Sequence, residues 1–121
     1  MNPWFEIILN RDDGCITLRM GGFFQPTDIE DLALALTHAI ERLGTEPNAH
    51  RTLCDITAMK IQTQESVAIF AGVVGSPKLR SAKLAFVTGA TLARMQARRL
   101  TSRENVAFFD DVEQALCWLQ A

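Results

Sequence analysis

The chain has 121 residues, 48% of them hydrophobic and 21% charged, which excludes a disordered segment and fits a single domain spanning 1–121. Twelve Lys and Arg stand against 14 Asp and Glu, a formal charge of −2, so the basic excess of a general nucleic-acid binder is missing. The 3 cysteines are widely spaced without a C-x-x-C pair and the 2 histidines lack ligand spacing, which argues against a zinc site or a disulfide framework.

Residues 1–6 have neither a basic n-region nor a long apolar core, so no signal peptide is expected. No apolar run approaches the ~20 residues of a membrane span. A cytoplasmic domain with reduced thiols and no integral membrane segment is the expectation.

In chain order, 4–9 reads as a strand with Phe5, Ile7 and Leu9 on one face. Arg11-Asp12-Asp13-Gly14 supplies a turn. A second strand over 15–20 points Ile16, Leu18 and Met20 inward and completes an antiparallel hairpin. Thr27 and Glu30 have the spacing of a capping box, opening a helix with Ile29, Leu32, Ala33, Leu36, Ile40 and Leu43 on its apolar face and Gly44 at its end. His38 falls opposite that stripe and reads as a surface residue.

The third strand covers 51–56, with Asp55 at its end. A helix over 64–74 carries Val67, Phe70, Ala71 and Val74 inward and leaves Ile69 and Val73 over, more apolar circumference than one sheet contact covers. A strand over 83–88 breaks at Gly89, and a helix over 90–100 bears Arg94, Arg98 and Arg99. A strand over 105–109 precedes a closing helix capped by Asp111, with Val112, Ala115, Leu116 and Leu119 as its core face. The order ββαβαβαβα predicts an α/β domain, a mixed sheet of five strands with about four helices.

The chemistry is sparse. Nucleophilic catalysis needs a nucleophile beside an oriented base, and with His38 on a helix exterior and His50 in a loop no such set assembles. No catalytic residue, metal or hydrolytic activity is expected. Gly89, Ala90 and Thr91 follow a strand and open a helix, where amide N–H groups could hold an anion; a tight structural turn is the simpler reading. Asp55 sits where α/β sheets place functional groups, with an Asx-type turn as the simpler role. Arg94 and Arg98 lie one turn apart with Met95 between Arg98's neighbour Arg99 and that pair, either a solvated face or a docking patch for an acidic partner.

Gly22-Phe23-Phe24 before a capped helix, Cys54-Asp55-Ile56-Thr57 at a strand end, the 87–96 stretch VTGATLARMQ, Phe108-Phe109-Asp110-Asp111 and the 113–119 stretch EQALCWL together carry a family resemblance. The whole chain resembles the SpoIIAA-like (STAS-like) domains related to bacterial anti-sigma-factor antagonists. That resemblance implies a small non-enzymatic regulatory or protein-interaction domain without a cofactor of its own. It also exposes a departure. Antagonists of that class carry an Asp-Ser pair at the start of the helix after the third strand, and the serine is phosphorylated. Here the pair falls at Thr63 and Gln64, with Ser66 the next hydroxyl.

Two functional expectations follow. One is a module that binds a protein partner or a second copy of itself, as a homodimer, through Thr63, Gln64, Glu65, Ile69 and Val73, flanked by Arg94, Met95 and Arg98. The other is a binder of an apolar or anionic small molecule, since lipid-binding Sec14-type domains resemble this fold. An internal pocket with a polar mouth favours the second and a filled core with an apolar surface patch the first.

Overall fold

The computed structural model describes residues 2–89, 95, 98 and 105–121. Five strands, β1 (Trp4–Asn10), β2 (Cys15–Gly22), β3 (Arg51–Met59), β4 (Lys83–Val87) and β5 (Val106–Phe109), form one sheet in the order of the chain. β1 and β2 pair antiparallel and every later pair is parallel, so the expected α/β class and mixed sheet are found. Three helices are described: α1 (Pro26–Leu43), α2 (Gln64–Val74) and α3 (Val112–Gln120). The helix expected over 90–100 lies outside the described residues apart from Met95 and Arg98.

The period-2 alternation of the strands divides the core in two. Leu18, Cys54, Phe86 and Phe108 fall in one register row across β2 to β5, facing α1 and α2. Phe86 and Phe108 stack at 5.3 Å between centroids. The adjacent row presents Leu53 and Ala85 to the opposite face, where Ala115 and Leu119 of α3 close over them. A strand buried on both faces must be apolar in both registers, and Leu53, Cys54, Leu84, Ala85, Phe86 and Val87 are all buried.

Three local expectations are corrected. β3 does not stop at Ile56 but runs to Met59, because the Asp55 carboxylate accepts hydrogen bonds from the Thr57 amide at 3.0 Å and the Thr57 hydroxyl at 2.8 Å. That Asx-type turn accommodates a bulge where Arg19 pairs with Asp55 and Gly21 with Ala58, after which pairing resumes. The Asx role read for Asp55 is the one observed.

α1 begins one residue before Thr27. Pro26 takes the first helical position, where its missing N–H is no loss, and Asp28 rather than Glu30 accepts from the N-cap amide of Gln25, at 2.8 Å. Finally, the buried face of α3 is Ala115 and Leu119 with half-buried Trp118, while Val112 is 38% and Leu116 37% exposed. Trp118 packs on Phe109 at 5.8 Å, and that aromatic contact sets the helix rotation.

At the end of β2, Gly22 holds φ at +86°, and a Cβ there would collide with the Asn2 carbonyl. Gly22→Ala should therefore lower stability by about 2 kcal/mol through left-handed strain and the clash. Urea unfolding with an unchanged m-value checks it.

Candidate functional site

Two connections meet beneath the N-terminus of α2, one joining β2 to α1 and the other β3 to α2. Gln62, 7% exposed, ties them together. Its side-chain oxygen accepts from the Phe24 amide at 2.8 Å, and its nitrogen donates to the Gly22 carbonyl at 3.0 Å and to the Lys60 carbonyl. The Lys60 amide donates to the same Gly22 carbonyl at 3.1 Å. The Ser66 hydroxyl donates to the Phe24 carbonyl at 2.9 Å. These contacts hold the two connections together, and the Phe24 amide and carbonyl both find their partners in side chains, Gln62 and Ser66.

Behind this polar clamp lies an apolar cavity of about 110 Å³ between α2, α1 and the sheet. Its wall includes Leu18, Cys54, Phe70, Val73, Leu84 and Phe86, with Lys60 and Gln62 and the hydroxyl residues Thr52 and Ser81 also in the lining. Those hydroxyls lie 2.6 Å apart, and Ser81 Oγ is 3.2 Å from His50 Nε2. His50 is 1% exposed and its carbonyl accepts from the Ala82 amide at 2.7 Å, so the cluster fastens the start of β3 to the start of β4. The sequence reading placed His50 in a loop and missed this enclosure.

Burial pushes the Cys54 thiol up to about 12, and the neighbouring Asp55 charge adds to the effect. Burial likewise raises Cys15, reinforced by Asp13. Cys117 is exposed. Among the described residues no three His, Cys, Asp or Glu side chains converge as metal ligands.

The residues singled out in the sequence separate into different roles. Thr63, Gln64 and Glu65 share the first turn of α2 and are exposed, with Thr63 acting as N-cap by accepting from the Ser66 amide at 3.0 Å. Ser66 itself is 1% exposed, its hydroxyl already donated inward. Ile69 and Val73 are not left over: both are half-buried and pack against the main core cluster, and Val73 lines the cavity. The cause is α1, which packs against α2 and supplies a second apolar surface beyond the sheet. The expectation of a free Ile69–Val73 patch is thereby corrected.

Met95 is 51% exposed. The guanidinium of Arg98, an exposed residue, lies 5.6 Å from the Phe108 ring centroid, a cation–π contact rather than a wholly solvated charge. Arg94, Ala90 and Thr91 lie outside the described residues. Gly89 is exposed, and a Cβ there would meet Thr57 Cγ2 at an ordinary 3.7 Å.

Gln62 was the principal omission. A polar residue in a short connector reads as loop, and only its place immediately before the Thr63 cap hinted at a structural duty.

No protein-family model and no curated protein sequence matches the chain. Its structure is similar to the crystal structure of an uncharacterized protein of the DUF3478 family with a SpoIIAA-like fold from Shewanella loihica PV-4. The two share 21% sequence identity over 98% of this chain and 94% of that one, with a TM-score of 0.71. The fold is therefore SpoIIAA-like, as the sequence resemblance implied. No helix among the described residues is long and apolar enough to cross a membrane.

The Cys54 thiol makes a pH prediction. Its folded pKa lies above the ordinary 9.0, so its contribution to stability is whole below that value and is lost as pH rises through the folded pKa near 12. Urea unfolding above pH 9.0 should show a decline of up to about 1.4 kcal/mol per pH unit from this group. Cys54→Val should remove that part of the slope.

Proposed function

We propose that this domain is a non-enzymatic binding module whose ligand is a small, largely apolar molecule seated beneath α2. The cavity carries the reading: it is walled by Leu18, Phe70, Val73, Leu84 and Phe86 and offers a few hydroxyl and amide groups at its margins. Pockets of that composition bind by apolar burial and orient the ligand with few polar contacts. At about 110 Å³ it is smaller than a site for a drug-sized molecule. It approaches the ~150 Å³ of an engineered apolar cavity that takes up benzene. Thr52 and Ser81 would receive a single hydroxyl or carbonyl on such a ligand.

A regulatory, protein-binding role is the second reading, and one observation favours it. Ile61, one residue before buried Gln62, is 53% exposed next to the exposed turn of Thr63, Gln64 and Glu65, an apolar side chain near polar ones at the surface where related domains are regulated. The two readings join if occupancy of the cavity shifts α2 and with it that turn.

Native mass spectrometry of the chain purified from its own host tests for a retained ligand. Toluene should raise the Tm of the wild type, by the thermal equivalent of about 2.7 kcal/mol at a concentration 100 times its Kd. Val73→Phe fills the cavity and should abolish the shift. No shift for the wild type, or an equal shift in Val73→Phe, refutes the small-molecule reading.

A further inference from the structure

A second concavity lies on the far side of α1, between that helix and β1, with a volume of about 630 Å³. Phe5, Ile7 and Leu9, alternate residues of β1, form one wall. Ala35, His38, Ala39 and Arg42 form the other, at the i, i+3, i+4 and i+7 positions that share a helix face. The two alanines keep the groove open where larger side chains would close it. Arg11 completes the lining at the end that follows β1, and its Nε donates to the Arg42 carbonyl at 3.2 Å. One N–H thus anchors the guanidinium to the C-terminal end of α1 and leaves the others for a ligand.

Charge and backbone both identify the occupant. Among the described residues no acidic side chain lines the groove, and the ion pair found is Arg19 with Asp55, so within that set neither Arg11 nor Arg42 is held in an ion pair. β1 is also an edge strand, paired with β2 on one side. Among the described residues no further backbone hydrogen bond reaches it from the other side. An open strand edge beside a helix offers alternate N–H and C=O groups to an extended chain.

We propose that this groove takes an extended acidic peptide segment of a partner protein, added to β1 as a further strand. Alternate apolar side chains of the segment rest on Phe5, Ile7 and Leu9 beside Ala35 and Ala39. A carboxylate at one end meets Arg11 and Arg42, where guanidinium groups make paired, charge-assisted hydrogen bonds. A second copy of this chain fits less well. Two-fold antiparallel pairing centred on Ile7 sets Arg11 opposite Pro3, and the one acid of β1, Glu6, points to the other face of the sheet.

The test uses fluorescein-labelled heptapeptides of alternating valine and threonine, with two glutamates at the N-terminal end for antiparallel addition or at the C-terminal end for parallel addition. Matching peptides carry glutamine instead. One glutamate peptide should bind at least about tenfold more tightly than its glutamine counterpart, a difference of about 1.4 kcal/mol. The amide NMR shifts should concentrate in β1 and α1. Arg11→Glu with Arg42→Glu, both at exposed positions, should weaken binding by a similar factor without changing the circular dichroism spectrum. Ala35→Leu, which narrows the groove and leaves the charges in place, should weaken it as well. The proposal is overturned if neither glutamate peptide binds at millimolar concentration, if glutamine peptides bind equally, or if the shifts fall elsewhere. Octanoate that binds as tightly as the peptide and displaces it would assign the groove to a small organic anion. Self-association lost on Arg11→Glu with Arg42→Glu would assign it to a second copy.

Discussion

The structure depends on the carboxamide of Gln62. A parallel β–α–β arrangement leaves polar backbone at each strand end just where the chain must turn onto a helix. Here the turns after β2 and β3 lie side by side, and one side chain supplies the acceptor for Phe24 and the donors for Gly22 and Lys60. An unsatisfied buried group costs ~1–3 kcal/mol, so a residue that satisfies several at once outweighs any exposed ion pair. Arg19 and Asp55, 3.7 Å apart with the arginine side chain 52% exposed, contribute little by comparison.

The clamp has a consequence for packing. Ser66, one turn into α2, bonds to the Phe24 carbonyl, so the N-terminal end of the helix is fixed by hydrogen bonds rather than by close apolar contact. Phe24 and Phe70 meet edge to face at 5.6 Å just beyond it. Farther along, α2 rests on Val73 and Val74, whose side chains bound the cavity without filling it. A helix held at one end by directional bonds cannot slide inward to close a void. The space remains apolar and available, which is why a ligand under α2 follows from the same interaction that secures the fold. The groove at β1 is independent of it, lying across α1 and assembled from different residues.

Much of the fold was legible because its signals are periodic. The hairpin followed from alternation over 4–9 and 15–20 with Gly14 between, and Gly14 does take φ +63°. The bounds of α2 at 64 and 74 match the reading, with Gly75 ending the helix, while the Thr63 cap emerges from the structure. Errors arose where two patterns overlapped. Thr27 and Glu30 mimic a capping box, but Pro26 and Asp28 compete for the same turn and prevail. Asp55 resembles a strand terminus because an Asx turn and a bulge use the same residues. In α3 the apolar residues at 112, 115, 116, 118 and 119 define two faces, and only the packing of Trp118 on Phe109 selects between them.

The site was less legible than the fold, since it arises from residues distant in sequence. Ile69 and Val73 read as surplus because a single helix was weighed against a single sheet; the third surface, α1, comes from an earlier segment on the far side of β3 in the chain. Gln62 has no periodic signature at all. Equilibrium urea unfolding of Gln62→Met measures its part most directly, because methionine keeps the shape and removes every hydrogen bond. If the clamp governs the fold, the variant should lose about 3 kcal/mol, the cost of leaving the Phe24 amide and the Lys60 carbonyl without this partner, the Gly22 carbonyl keeping the Lys60 amide. A stability within about 0.5 kcal/mol of the wild type, the range of an ordinary surface substitution, would contradict the account.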